Sequence, residues 1–572
     1  MWKKEIRAIR IVLPIAAVLV LVTSGSGATF TVNSTGDAAD INTADGICDT
    51  GGGVCTLRAA IQQGNALAGA DAVSFSLAGP GVQLIVPGSA LPIITQPLVL
   101  DGWTQGGMGY TGLPLIEIDG TNAGPGVVGL TITGDASTIR GLVINRFGGG
   151  GILLNGADGN TIAGCYIGTN SLGDADLGNS GIGIRLLQSA NNLVGGASAA
   201  DRNIISGNAF EGVQLIGTLS TGNSIKGNFI GTDITGSVDL GNTHHGLEIT
   251  TGPSGNIVGG AAPGEGNLIS ANDDSGVAIL AALNNTVIGN LIGTDITGVA
   301  DLGNADAGVV LGASQGSNTI GTTTPGAGNR IAFNARGVHV SGSQSTGNSI
   351  RGNSIFANDN AGIELGAFGP TPNDPGDADT GGNQLQNFPV INAASSGSAR
   401  IAGTLNSTPG TEFFLDFYST PLPDASNHGE GDTYLGSTSV TTDAAGDAAF
   451  VATFPQDTPV GHFVTATATD GAGNTSEFSA AAQVFAPTAA SVTVGGRVVA
   501  AGGQGISNAR VELADPNGTV REVSANSFGY FQFTDVTAGE LYILTVRHKF
   551  FNSVPQPVFV LDERDDILLE VF

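Results

Sequence analysis

The sequence predicts an all-β chain, a solenoid of parallel rungs followed by two β-sandwich modules, and three observations carry that prediction. First, "GNFIGTDITGSVDLGN" from Gly227 returns 62 residues later as "GNLIGTDITGVADLGN" from Gly289, identical at thirteen of sixteen positions. A weaker copy, "GCYIGTNSLGDADLGN", starts at Gly164, a further 63 residues upstream, and fixed spacing under drifting letters marks a structural repeat. Second, a Gly followed by aliphatic, variable, aliphatic recurs at Gly151, Gly183, Gly212, Gly246, Gly276, Gly308, Gly337 and Gly362, in steps of 32, 29, 34, 30, 32, 29 and 25 residues. Third, the 572 residues are 41% hydrophobic despite 91 glycines, so the chain buries enough apolar surface to offset its ordering entropy while glycine serves the turns.

From the N-terminus, MWKKEIRAIR carries four positive charges against one negative, and IVLPIAAVLVLV then leads to SGSGA. This predicts a secretory signal over residues 1–28, cleaved after Ala28, because the apolar run is short for a membrane span. No later segment is expected to cross a bilayer. The chain carries a formal charge of −29, and loss of the leader's net +3 leaves −32. So acidic a surface repels phosphate backbones and anionic lipid, which excludes nucleic acid and membrane headgroups as expected partners. Cations, neutral glycans or basic surfaces fit better. In an exported chain Cys48 and Cys55 of "CDTGGGVC" are expected to close a disulfide, and Cys165, in the place of Asn228 and Asn290, reads as a turn residue.

Residues 29–74 read as a disulfide loop and a capping helix, with Leu57, Ile61 and Leu67 on one face of "CTLRAAIQQGNALAG". In the rungs, period-two alternation means strands with one buried face, and the sixteen residues at the first and third places after the eight glycines, from Ile152 and Leu154 to Ile363 and Leu365, are all aliphatic. Between them come Asn-anchored strands such as "NTIAGCYIG", "NIISGN" and "NSIKGNFIG", whose Asn side chains suit hydrogen bonds from rung to rung. Each unit of 62 or 63 residues is then two coils, with the GTDITG stretch an excursion of the longer one.

With these repeats in view, residues 75–388 resemble a right-handed parallel β-helix of the pectin-lyase-like type. The "CTLRAA" stretch is similar to the CSLREA motif that opens exported bacterial β-helix proteins, and "LDGWTQGGMGY" from Leu100 to that family's DGTTQ-type turn. Thr56 can still cap the helix, whereas Ala59 stands where the family's Glu would complete a capping box. Beyond "PNDPGDADTGGN" the Asn-Gly rhythm stops. Alternating runs over 389–486 read as an antiparallel sandwich, and "TATATDGAGNTSEFS" resembles bacterial immunoglobulin-like modules of surface proteins. Residues 487–572 look like a carboxypeptidase regulatory-like, transthyretin-type sandwich, a module that carries no active site in that family.

Chemistry is expected, if anywhere, beside the glycine column. The second residues after each Gly (Leu153, Arg185, Gln214, Glu248, Ala278, Val310, His339, Glu364) are expected to face solvent, and His244, Asp274 and Asp306, two places before theirs, to stand on consecutive rungs. His244, Glu248, Asp274 and Asp306 are the candidate catalytic set of a polysaccharide lyase or glycosidase. No complete set of acid, base and aromatic platform assembles, so the leading expectation is a non-catalytic, exported surface or extracellular adhesion scaffold contacting glycans or the cell envelope. No cofactor is expected; Ca2+ is the one ion the loops suit, through Asp233 with Asp239 and Asp295 with Asp301.

Overall fold

A computed structural model describes residues 27–313, 316–423, 426, 428–486, 491–515, 519–551, 553–560 and 563–572. The expected leader, residues 1–28, lies outside the described residues except for its last two. The chain coils into a parallel β-helix whose rungs build three long sheets of eleven, ten and nine strands. In each sheet the order follows the chain, one strand per coil, and every pairing among them is parallel.

The glycine column sets the nine-stranded sheet. Ile152, Ile184, Val213, Leu247, Val277, Val309, Val338 and Ile363 stand in one unbroken register. All sixteen aliphatic positions are buried, and they form a single core running along the helix axis. The intervening residues depart from the solvent-facing expectation at three places: Gln214, Ala278 and Glu364 are buried. Ala278 is too short to leave the surface of its own sheet, and Glu364 is covered by the module that follows.

Polar turns are held by stacked asparagines. One ladder links Asn160, Asn192, Asn223, Asn256, Asn285, Asn318, Asn348 and Asn383, each Nδ2 donating to the next Oδ1 at 2.9–3.4 Å. A second runs from Asn203 to Asn353 and a third from Asn179 to Asn358. The amides also bond backbone groups of neighbouring rungs, which meets polar atoms that the buried turns would otherwise leave unpaired. Cys165 takes the first place of the second ladder, its N–H donating to Asn203 Oδ1 at 2.8 Å. Burial pushes its thiol up to about 12, which suits a structural turn residue and not a nucleophile.

The near-identity of the repeated loops has a packing cause. Ile234 N–H donates to Gly173 O at 2.8 Å and Ile296 N–H to Gly236 O at 2.9 Å, so successive loops stack on one another. Ile234 also packs over Tyr166, Ile204, Phe229 and Leu268, outward-facing residues of the ten-stranded sheet that would otherwise be wet. A Cβ on Gly236, at φ +67°, would come within 2.9 Å of Ile296, so a left-handed turn without a side chain is required there.

Both ends of the β-helix are covered. At the N-terminus Leu57–Ala66 is an α-helix; Thr56 Oγ1 accepts from Ala59 N–H at 3.1 Å, Leu57 and Ile61 are buried, and Leu67 is the partly buried C-cap. Cys48 and Cys55 are joined by a disulfide, with Cα atoms 5.2 Å apart. Parallel pairing reaches back to Thr29–Val32, which lies beside Asp71–Phe75, and this helix contacts both strands. At the other end sits a sandwich of seven strands, from Val390–Ser395 to Ala482–Phe485. Its Tyr418 and Phe478 belong to the same hydrophobic core as the rungs. Its Glu430 ends the third ladder, Oε1 accepting from Asn358 N–H at 3.1 Å and Nδ2 at 3.0 Å. Arg351 of the last rungs grips the fully buried Asp416 through two hydrogen bonds of 2.6 and 3.0 Å. The first sandwich is thus the cap of the solenoid and not a detached spacer. The last module packs a three-stranded against a four-stranded sheet around Val498, Val511, Phe533 and Leu544. It meets the first sandwich through Phe559, packed on Ala393 and Ala402, and through Arg400 and Glu540 at 2.9 Å.

Candidate functional site

The β-helix brings three of the four candidate catalytic residues onto consecutive rungs. His244, Asp274 and Asp306 each lie three residues before Leu247, Val277 and Val309, which pair in register. The residues that link them stand one place before each Gly, a column the sequence reading did not use: Glu211, His245, Ser275 and Arg336. His245 Nδ1 lies 3.5 Å from Asp274 Oδ1. The Ser275 hydroxyl bridges the two acids, 3.4 Å from Asp274 Oδ1 and 3.3 Å from Asp306 Oδ2. Arg336 closes the series, donating to Asp306 Oδ1 and lying 2.9 Å from His339 Nδ1. His244 itself turns away from the acids: its Nδ1 is 3.8 Å from Glu211 Oε1 and its ring stacks on Phe210, 5.0 Å between centroids.

Glu248 is not part of this group. Gln214 Nε2 donates to its Oε2 at 2.6 Å, one rung back, and Ala278 and Val310 fill the next two places of its column. Arg185 stands two rungs from Glu248, with Gln214 between them, and its buried Nε has no hydrogen-bond partner.

The electrostatics follow from these pairings. Asp306 is held below the usual carboxylate range: burial opposes this, but hydrogen bonding and charge from Arg336 outweigh it, with Ser275 adding to them. His339 is pushed down by burial and by the Arg336 charge, which favours its neutral form. Asp306 is therefore ionised, paired and a poor proton donor, whereas a glycosidase acid needs the opposite environment.

The repeated loops use their acids internally. Both oxygens of Asp233 accept from Thr235 Oγ1 at 2.8 Å, and Oδ1 also accepts from the N–H groups of Ser237 and Val238 at 3.1 Å. Asp295 repeats the arrangement with Thr297, Val299 and Ala300. Asp239 and Asp301 each accept from a Gly N–H two residues on, at 2.9 and 3.0 Å. A different set of acids converges after the last rung: Asp374, Asp377 and Asp379 bring one oxygen each within 4.8 Å of one another, a group that could hold a metal ion. Burial and mutual repulsion push Asp377 and Asp379 up.

Sequence reasoning missed the acids at the seam between solenoid and sandwich. Glu364 and Glu477 come together across more than a hundred residues of chain. Glu477 Oε1 accepts from Leu365 N–H at 2.9 Å and Oε2 from Thr371 N–H at 2.7 Å. Burial, reinforced by the Glu364 charge, pushes its carboxyl up to about 7. Glu364 is 1% exposed, its Oε1 has no hydrogen-bond partner, and burial pushes its carboxyl up as well.

Residues 493–571 match the family model of the carboxypeptidase regulatory-like domain. No curated protein sequence matches the chain. Among solved structures, a periplasmic alginate epimerase is similar at 14% identity over 52% of this chain and 66% of that one, with a TM-score of 0.28. This chain thus spans just under two thirds of the epimerase. A full-length tailspike protein of an Escherichia coli O157:H7 bacteriophage is similar at 10% identity, over 86% of this chain and 71% of that one, TM-score 0.30. A tandem-repeat segment of a large adhesion protein is similar at 13% identity, over 33% of this chain and 49% of that one, TM-score 0.12. Among the described residues no helix is long and apolar enough to cross a membrane.

Proposed function

We propose that the chain is a non-catalytic binding scaffold, exported through the signal at residues 1–28 to the cell surface or medium, where it contacts glycans or other components of the cell envelope. One observation supports this above the rest. On the face where a catalytic set was expected, each acid is already engaged: Asp306 with Arg336, Asp274 with Ser275 and His245, and Glu248 with Gln214. A retaining or inverting hydrolase needs one carboxyl kept protonated and another kept free, and a lyase needs an unengaged base. The CSLREA-like opening and the immunoglobulin-like character of residues 389–486 agree with an extracellular assembly of stacked modules. In this reading residues 29–74 cap one end, 75–388 form the binding length, and 487–572 extend the far end.

The test is incubation of the purified chain with a panel of neutral and acidic polysaccharides, with and without Ca2+, scoring both retention of protein on the polymer and new reducing or unsaturated ends. Retention without new ends is the expected result. New ends that vanish in an Asp274→Ala, Asp306→Ala double variant would replace the scaffold with a polysaccharide lyase or glycosidase.

A further inference from the structure

A cavity of about 810 Å³ opens at the seam between the last rungs and the first sandwich. Its size is that of a small-ligand site. Carboxylates enter it from both sides: Asp359 and Glu364 from the rungs, Glu430 and Asp432 from the sandwich. No Lys or Arg lines it among the described residues. Arg336 is committed to Asp306 and His339 and lies over one face of the Phe368 ring, 5.1 Å from its centroid, which leaves the edge and the other face of that ring to the cavity. Arg330 reaches Asp432 at 3.7 Å from outside the lining, leaving the balance negative.

Two further features point to an occupant. Glu364, which lines the cavity, is 1% exposed, yet its Oε1 accepts no hydrogen bond, so the lining holds an acceptor without a donor. At the rim, Phe368 and Leu422 are 77% and 75% exposed, an apolar edge on each side. Donors flanked by carbon surface meet both needs, and a positive charge on the donor answers Asp359 and Glu364, since Glu430 is bonded to Asn358 and Asp432 is paired with Arg330. The chain's net charge of −29 draws such a ligand in the same direction.

We propose that this cavity binds an amine-bearing sugar, a hexosamine unit whose nitrogen is not acetylated, with Glu364 and Asp359 receiving the ammonium and Phe368 and Leu422 contacting the ring carbons. The proposal rests on the glycan-binding reading above and names one site and one sugar class within it. Recognition is by charge and shape together, since an ammonium alone would leave the apolar rim unused.

The experiment is calorimetric titration of the full chain with a glucosamine tetramer, its fully N-acetylated counterpart, and spermine, at about 50 and about 500 mM salt. The free-amine tetramer is expected to bind about tenfold or more tightly than the acetylated one, and to weaken at high salt. Glu364→Gln and, separately, Asp359→Asn on the exposed rim are each expected to weaken it several-fold with unchanged melting temperature or, for Glu364→Gln, a raised one. Equal binding of the two tetramers, spermine binding as tightly as the sugar, or tetramer affinity untouched by both substitutions would overturn the assignment. Retention on another polymer, unaffected by these substitutions, would overturn this site while leaving the scaffold reading intact.

Discussion

Substituting Glu477 by Gln tests how the seam between solenoid and sandwich responds to pH. In the folded protein this carboxyl titrates at about 7, against 4.5 for an ordinary Glu, chiefly because it is buried. At about 1.4 kcal/mol per pH unit, that difference corresponds to about 3 kcal/mol. The folded state keeps a proton that the unfolded chain has already lost, so stability is complete below about pH 4.5, declines as pH rises, and levels off above about 7. Glutamine removes this slope. Its oxygen still accepts one of the two N–H groups, while its NH2 faces the other, at a pH-independent cost of about 1–2 kcal/mol. The variant is therefore expected to melt below the wild type near pH 5 and above it near pH 8, with the gap moving by a few degrees. Differential scanning calorimetry of both proteins at the two pH values reads the gap directly. A gap of the same size and sign at both would mean that Glu477 does not titrate differently on folding, because a fixed packing defect has no pH dependence.

Three other outcomes follow from the same structure. Asn228→Ala removes a middle member of the second ladder and orphans Val194 O and the Asn203 amide, so chemical denaturation should show a loss of about 2–5 kcal/mol. Asp416→Ala strands Arg351 in the seam and should cost about 3–5 kcal/mol, whereas an added Arg351→Met should recover much of it; a double variant as unstable as the single would contradict the pairing. Asp233→Ala should lower the melting temperature equally with and without Ca2+, since its carboxylate serves Thr235, Ser237 and Val238 of its own loop; a Ca2+-dependent difference would restore a metal role.

The rung architecture was legible from the chain alone. A solenoid contacts itself only between neighbours, so the period, the buried aliphatic pairs and the Asn-anchored turns are all local information, and Ile152 through Ile363 pair as the spacing implied. The place of His244, Asp274 and Asp306 on successive rungs was legible for the same reason. Which atoms they touch was not, because side-chain direction is decided by neighbours: His244 lies on Phe210, and Arg336 neutralises Asp306. The seam lay furthest from view. Leu365 with Glu477, Asn358 with Glu430 and Arg351 with Asp416 are separated by 112, 72 and 65 residues, and no periodicity links them. Local pattern and composition suffice for a coiling chain with an acidic surface and capped ends. Only the tertiary structure decided that the first sandwich is the cap, because closing the last rung buries polar groups whose partners must come from wherever the chain next folds back.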